Sequence, residues 1–220
     1  MRKAGIFVHS RWPAARVLAD EVTGYLLNHG LESVWVTSEW DDESLAQDMP
    51  GTEILFCLGG DGTVLHAARS VIPNPIPILG VNMGRLGFLA EVRPTDLLDC
   101  LPRVLAGDYR LEQRSMLQAD VPAWSQTYHA LNDVVLGRHT VARPIYVEVS
   151  VDGSRLAVHR CDAIIVASAT GSTAYSVSAG GPILHPESRD LVLTPVSPHI
   201  AAARPLVLPP ESLVELTVSA

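Results

Sequence analysis

The sequence contains a single lysine, and this scarcity excludes several kinds of enzyme. Of 16 lysine and arginine residues, only Lys3 is a lysine, and it lies at the N-terminus. A P-loop kinase needs a lysine in its glycine-rich loop. A protein kinase needs one on its third strand, and a Schiff-base enzyme needs one that is buried. Lys3 suits none of these roles, so the three classes are excluded.

Basic charge, long apolar runs and paired cysteines are also lacking. The net charge of −8 argues against a nucleic-acid partner. No run of about 18 apolar residues exists to span a membrane, and the first apolar stretch is too short for a secretory signal. Cys57, Cys100 and Cys161 form no CxxC pair and no metal-binding spacing. We therefore expect a reduced, cytoplasmic protein without zinc and without a membrane partner.

The pattern of apolar residues changes near residue 105. Before it, short apolar runs alternate with helical periodicity, as at 53–58 and 63–71, which predicts a parallel sheet covered by helices. After it, short strand-like runs dominate, beginning with 110–121 and 127–137. The sequence therefore predicts an α/β domain over residues 1–105 and a β-rich domain over residues 106–220.

A glycine-rich turn joins the predicted strand 53–58 to the helix that follows. Gly59, Gly60 and Gly62 permit close approach of a ligand and positive φ angles. The N–H groups at the helix start favour phosphate. Asp61 in the middle of the turn would repel phosphate, so its presence indicates a base for an attacking hydroxyl group or a ligand for Mg²⁺. The alternative is a plain tight turn with an Asx hydrogen bond.

Polar residues in the second half suggest recognition of a nucleotide, although each group has a simpler interpretation. Asn132 and Asp133 suit hydrogen bonding to a ribose or base, or form a turn. The stretch 170–178 (TGSTAYSVS) offers hydroxyl donors and a tyrosine face for stacking, or is a polar loop. Arg160 and Asp162, taken by themselves, indicate only a weak surface ion pair.

Three segments together resemble the NAD kinase family: LGGDGT at 58–63, NMGRLGFLAE at 82–91 and TGSTAYSVSAGGP at 170–182. The resemblance covers about residues 5–210, although diacylglycerol kinases, sphingosine kinases and phosphofructokinases share the first turn. It implies a Rossmann-like α/β domain followed by an all-β, sandwich-like domain. The implied reaction is phosphorylation of NAD at the 2′-hydroxyl of its adenosine ribose, with ATP or polyphosphate and Mg²⁺ or another divalent cation, giving NADP. A homodimer or homotetramer is also implied.

The resemblance further implies a role for individual residues, with Asp61 as the catalytic base. The residues expected to bind substrate or nucleotide are Gly59, Gly60, Asp61, Gly62, Thr63, His66, Asn132, Asp133, Arg160, Asp162, Thr170, Gly171, Ser172, Thr173, Ala174, Tyr175 and Ser178. For His66 the alternative is an exposed helix residue. Asp133 stands where the family usually has Glu, and Cys161 and Ala163 stand where it usually has glycines.

Two other functions remain open from the sequence. A lipid or sugar kinase of the same superfamily would keep the GGDGT turn but would give the stretch 170–182 no role. A non-catalytic NAD(P)-binding protein is the second alternative, because we do not find the family's usual C-terminal segment in the sequence.

Overall fold

The computed structural model describes residues 1–9, 11–38, 45, 47–84, 87–139, 143–199 and 203–219. The chain separates into two compact units, Met1–Leu111 and Glu112–Ala220. The sequence places this boundary slightly earlier, after residue 105. Of the helices that the structure describes, none has both the length and the hydrophobicity needed to cross a bilayer.

The first unit is a parallel sheet flanked by helices. Its strands are β1 (Lys3–Val8), β2 (Ser33–Thr37), β3 (Ile54–Gly59) and β4 (Ile78–Asn82), in the order β2-β1-β3-β4. All three strand pairings are parallel. The helices are α1 (Pro13–Asn28), α2 (Asp61–Ser70) and α3 (Pro94–Leu105).

Both faces of this sheet are buried at its centre, because β1 and β3 are apolar over most of their length. Ile6 and Phe56 lie in the cluster that contains the buried residues of α1 and α3. Phe7 and Leu55, one position along, lie in the opposite cluster with residues of α2. Burial on both faces is typical of parallel sheets with helical crossovers. The carboxyl ends of β3 and β4 consequently meet at one edge of the sheet, where the glycine-rich turn begins.

The second unit consists of antiparallel sheets. Its strands are β5 (Leu117–Val121), β6 (Gln126–Ala130), β7 (Asp133–Gly137), β8 (Ile145–Val151), β9 (Ser154–Cys161), β10 (Ala163–Ala167), β11 (Leu191–Val196), β12 (Leu206–Leu208) and β13 (Val214–Ser219). They form sheets in the orders β12-β11-β10-β7, β13-β8-β9 and β5-β6. A 3₁₀ turn (Gly171–Thr173) leads into the one-turn helix α4 (Tyr175–Ser178).

The core of the second unit lies between two sheets. Val147, Val149 and Cys161 of the three-stranded sheet pack with Ile164 and Leu193 of the four-stranded sheet. The opposite face of the four-stranded sheet is covered by apolar residues that follow α4. This sandwich-like unit, together with the parallel sheet of the first, confirms the predicted fold class.

Two predicted strands differ from those in the structure. Only Leu117–Val121 of the run 110–121 is a strand. The run 127–137 is divided into β6 and β7 by a bend at Leu131 and Asn132. The carbonyl groups at this bend accept hydrogen bonds from Ser168 instead of from a neighbouring strand. The sheet ladder is interrupted there for that reason.

Candidate functional site

The glycine-rich turn lies at the carboxyl edge of the parallel sheet. β3 ends at Gly59 and α2 begins at Asp61. Gly60 precedes the helix in an extended conformation (φ −122°, ψ −165°) and supplies no side-chain cap. The first N–H groups of a helix have no partner within the helix, and they attract anions. The turn therefore presents a helix N-terminus to any ligand at this edge.

Among the glycines of the turn, Gly59 makes a close contact and Gly60 and Gly62 face open space. The prediction of positive φ angles for them is wrong. A Cβ atom at Gly59 would lie 2.0 Å from Oγ1 of Thr63, so only glycine fits there. A Cβ atom at Gly60 or Gly62 would meet no described atom within 4 Å, and none of the three residues has a positive φ. The missing side chains at Gly60 and Gly62 thus leave the helix start open to approach.

Asp61 is held by the segment that follows β4. The N–H of Phe88 donates to Oδ2 of Asp61 (2.9 Å) and the N–H of Leu89 donates to Oδ1 (3.0 Å). Gly87 lies against the same carboxylate, since a Cβ atom there would be 2.2 Å from Oδ1. A carboxylate has about four lone-pair sites. Two are used by these hydrogen bonds, so both oxygens keep capacity for a substrate.

Two other residues of α2 are buried. Thr63 is 3% exposed, and its hydroxyl has no hydrogen-bond partner among the described residues. His66 is 7% exposed, and its ring meets Phe7 edge-on with 5.8 Å between the ring centroids. The alternative of an exposed helix histidine is therefore wrong for His66. Its contact with nucleotide stays a prediction.

In the second unit the structure brings together two motifs that are far apart in the sequence. The N–H of Ser168 donates to the carbonyl oxygen of Asn132 (2.9 Å). A Cβ atom at Gly171 would lie 1.9 Å from that oxygen, so the close approach requires glycine. The N–H of Tyr175 donates to Asp133. Asn132 and Asp133 thus form one polar cluster with the start of the stretch 170–178.

The hydroxyl groups of this stretch are less available than its composition suggests. Ser172 donates to the carbonyl oxygen of Ala169 (2.6 Å), and Thr173 donates to that of Thr170 (3.0 Å). Because a hydroxyl group has one hydrogen to donate, these two side chains can only accept from a ligand. The expectation of many free donors is wrong for them.

The remaining predicted residues of the stretch differ in exposure and geometry. Thr170 is buried, and its hydroxyl accepts a hydrogen bond from Arg114 (3.2 Å). Ser178 lies 3.5 Å from the carbonyl oxygen of Ala174, at the limit of a hydrogen bond. Tyr175 is 46% exposed, so its ring is accessible for stacking.

Burial affects the charge of Asp133. Loss of solvent raises the pKa of its carboxyl group above the usual value, and the hydrogen bond from the N–H of Tyr175 opposes this rise.

Arg160 and Asp162 lie at the junction of β9 and β10. Asp162 forms an ion pair with Arg138 (3.2 Å), and the guanidinium of Arg160 lies 5.9 Å from the ring centroid of Tyr146. In the structure Asp162 is therefore paired with Arg138, and the alternative of an ion pair between Arg160 and Asp162 is wrong.

Reasoning from the sequence did not find three contributors to these sites. The N–H groups of Phe88 and Leu89 carry no side-chain signal. The compact motif 82–91 could nevertheless have indicated a functional loop. Arg114 stands in an irregular segment, where a single arginine gives no pattern to recognise.

A helix that starts directly after a glycine-rich turn, at the carboxyl edge of a parallel sheet, is typical of α/β proteins that bind phosphate groups. Comparison with known proteins places this chain within that class. Family models of the ATP-NAD kinase N-terminal domain and the ATP-NAD kinase C-terminal domain match residues 10–109 and 131–220. The chain belongs to the NAD kinase family.

Individual relatives agree with this assignment. An NAD kinase of Dehalococcoides mccartyi (strain CBDB1) is 42% identical over 222 residues, which cover 99% of this chain and 78% of the relative. An NAD kinase of Heliobacterium modesticaldum (strain ATCC 51547 / Ice1) is 50% identical over 169 residues, which cover 76% of this chain and 60% of the relative.

Two solved structures are similar in fold. Yeast NADH kinase complexed with NADH has a TM-score of 0.86 at 23% identity, and the match covers 100% of this chain and 69% of that one. An NAD kinase from Archaeoglobus fulgidus in complex with ATP has a TM-score of 0.81 at 26% identity, with coverages of 99% and 81%. The predictions of family, fold class and a kinase are confirmed.

Proposed function

We propose that this chain transfers the terminal phosphoryl group of ATP or polyphosphate to the 2′-hydroxyl group of the adenosine ribose of NAD, giving NADP. The observation that carries the proposal is the position of Asp61. It opens α2 beside two glycines that leave room for a ligand. Its two oxygens are each held by one backbone N–H group. A fixed carboxylate at a phosphate-binding helix start suits a base for a substrate hydroxyl group.

In the proposed step, the 2′-oxygen attacks the terminal phosphorus and its proton passes to the carboxylate of Asp61. The bond between that phosphorus and the bridging oxygen breaks, and ADP or shortened polyphosphate leaves. Positioning supplies most of the acceleration, since phosphoryl transfer needs little covalent assistance from protein. A base of this kind contributes about 10²–10⁴-fold.

The start of α2 is proposed to hold the phosphates of the donor. Its N–H groups are open to approach at Gly60 and Gly62. The buried hydroxyl of Thr63 lacks a described partner. An unpaired buried hydroxyl costs about 1–3 kcal/mol, and a phosphate oxygen would provide the missing acceptor. Thr63 is therefore assigned a hydrogen bond to the donor.

The described residues fit an Mg²⁺ ion whose ligands would come mainly from the phosphate groups of the phosphoryl donor. No cluster of three or more His, Cys, Asp or Glu side chains in the described ranges is arranged to hold a metal ion. Mg²⁺ commonly binds through one or two carboxylates together with substrate phosphates. Asp61 is the carboxylate of the turn, and a bound ion would neutralise phosphate charge beside it.

NAD is proposed to bind to the polar cluster of the second unit. The exposed ring of Tyr175 offers a stacking face, and Asp133 lies at the cluster with its carboxylate oriented by a backbone N–H. The other proposed contacts in this unit are Asn132, Arg160, Asp162, Thr170, Gly171, Ser172, Thr173, Ala174 and Ser178. His66, in α2 of the first unit, stays a separate proposed nucleotide contact. For Ser172 and Thr173 the contact would use the backbone or an accepting oxygen, because their hydroxyl hydrogens are already bonded.

The test is NADP formation from NAD and Mg²⁺ with either ATP or polyphosphate. Asp61→Asn should lower kcat by about 10²–10⁴-fold while NAD still binds, because the base is lost. The size of the side chain is kept, although the amide nitrogen of Asn cannot accept one of the two backbone hydrogen bonds from Phe88 and Leu89. Asp96→Asn is the matched control. Asp96 also lies in the first turn of a helix, in α3, and bonds to Arg93 and Thr95. It should leave kcat within about twofold.

Near-normal turnover by Asp61→Asn would remove Asp61 from the base role. Diacylglycerol and fructose 6-phosphate offered in parallel test the superfamily alternatives. Phosphorylation of either, with NAD unchanged, would reject the proposal. Binding of NADP without any turnover would favour a non-catalytic protein.

A homodimer or homotetramer and a cytoplasmic location are also proposed. The three free cysteines, two of which are buried, are compatible with a reducing compartment. Light scattering on the purified chain measures the assembly directly, and a monomeric mass would reject the oligomer.

A further inference from the structure

We propose that Gly87 is a positioning residue for phosphoryl transfer, because its lack of a side chain lets Phe88 and Leu89 fix the carboxylate of Asp61 by two backbone hydrogen bonds. This inference rests on the proposed function of Asp61 as a base. It concerns Gly87 in the segment after β4, a residue to which the catalytic assignment gives no role.

The geometry is specific to the carboxylate group. The two N–H groups belong to consecutive residues, and each donates to a different oxygen, at 2.9 and 3.0 Å. One such bond would leave the carboxylate free to rotate about its Cβ–Cγ bond, whereas two bonds define its plane. Asp61 and these donors are 27 and 28 residues apart, so the contact joins two loops of the sheet edge.

Gly87 makes this contact possible. A Cβ atom on Gly87 would lie 2.2 Å from Oδ1, 2.5 Å from Cγ and 2.7 Å from Oδ2 of Asp61. A Cβ atom essentially never lies closer than about 3.0 Å to a non-bonded heavy atom, so the carboxylate of Asp61 would have to move away in Gly87→Ala. Gly87→Ala therefore changes the orientation of the base without adding or removing a reactive group.

The same segment is anchored to the sheet independently of Asp61. The N–H of Met83 donates to the carbonyl oxygen of Gly59 (2.8 Å), and the N–H of Glu91 donates to that of Gly80 (3.1 Å). The segment 87–89 is thus flanked on each side by a described residue that is bonded to the sheet. Anchoring of this kind helps to hold a catalytic group in a productive orientation.

The decisive experiment is steady-state NADP formation by Gly87→Ala with Mg²⁺-ATP. We expect kcat to fall at least about tenfold, within the range that base catalysis supplies, with the KM values for NAD and ATP within about twofold. In an Asp61→Ala background, Gly87→Ala should cause no further loss, because its effect passes through that side chain. Additive losses in the double variant would overturn the inference.

Gly84→Ala is the matched control in the same segment. A Cβ atom on Gly84 would meet the ring of Trp12 at 2.7 Å and leaves Asp61 untouched. It should retain kcat within about threefold, even if its melting temperature falls. An equal loss of kcat in Gly84→Ala and Gly87→Ala would show a general disturbance of the segment and reject the positioning role.

A second measurement keeps the inference testable if Gly87→Ala does not fold. Hydrogen exchange at the amides of Phe88 and Leu89 should be faster in Asp61→Ala than in the unaltered chain, since both donors lose their acceptor. Unchanged protection would refute the contact. This readout needs no activity, so it separates failure of the inference from failure of the proposed kinase reaction.

Discussion

Replacing Thr63 by valine should make the free protein more stable and the enzyme less active. The hydroxyl of Thr63 is buried and has no hydrogen-bond partner among the described residues. Valine keeps the branched shape of threonine and removes the unpaired donor. If a phosphate oxygen is the acceptor in the complex, the same substitution removes a hydrogen bond that only the bound state makes.

The magnitude follows from the cost of the unpaired hydroxyl. Such a group destabilises the folded state by about 1–3 kcal/mol. The close contact between Thr63 and Gly59 opposes part of the gain, since a methyl group is larger than a hydroxyl group. We expect a net rise of about 1 kcal/mol in the free energy of unfolding, and hence about 2–4 °C in melting temperature for a chain of this size.

Thermal unfolding without ligand, together with the KM for ATP in NADP formation, measures both effects. The KM for ATP should rise by about tenfold, which corresponds to the loss of one hydrogen bond to a charged group. Thr63→Ser keeps the hydroxyl, so it should restore the KM for ATP, although the lost methyl group lowers the melting temperature.

Two other threonines provide controls. Thr23 in α1 also has a buried hydroxyl without a described partner, so Thr23→Val should raise the melting temperature and leave the KM for ATP unchanged. Thr194 is buried and shares a hydrogen bond of 2.9 Å with Ser176. Thr194→Val should therefore lower the melting temperature. A fall in stability for Thr63→Val, or an unchanged KM for ATP, would refute the reasoning.

The other predictions concern the second unit. Asp133→Asn should raise the melting temperature by a few degrees at most at pH 7, where burial disfavours the charged carboxylate. This gain in melting temperature should shrink as the pH falls into the range where Asp133 becomes protonated in the folded chain. If Asp133→Asn melted at a lower temperature than the unaltered chain at pH 7, the prediction would be contradicted. Tyr175→Ala should weaken NAD binding more than it lowers kcat, and an unchanged affinity by calorimetry would refute stacking.

The local parts of the fold and site could be predicted from the sequence. β3 and α2 are signalled by an apolar run, a glycine turn and helical periodicity, all within about twenty residues. The sequence predicts Asp61 within the turn and a helix from residue 63, whereas α2 begins two residues earlier, at Asp61 itself. Each of these features depends on neighbours along the chain, so the sequence pattern contains the necessary information.

Features that depend on distant backbone groups could not be predicted. The bend at Leu131 and Asn132 exists because Ser168 takes their carbonyl groups as acceptors, and a strand pattern alone gives no sign of this. The support of Asp61 by Phe88 and Leu89 uses N–H groups, which every residue except proline has. The hydroxyl hydrogens of Ser172 and Thr173 are used locally, by carbonyl oxygens three residues back. Backbone carbonyl groups carry no side-chain signal either.

The glycines at these sites mark places where another group must come very close. A Cβ atom would lie 2.0, 2.2 and 1.9 Å from an oxygen atom at three of them: Gly59, Gly87 and Gly171. None of these three has a positive φ angle, so conformational freedom does not explain them. In each case the oxygen belongs to a residue of a proposed site. Gly59, Gly87 and Gly171 are therefore better interpreted as contacts that exclude a side chain than as turns that need an unusual backbone angle.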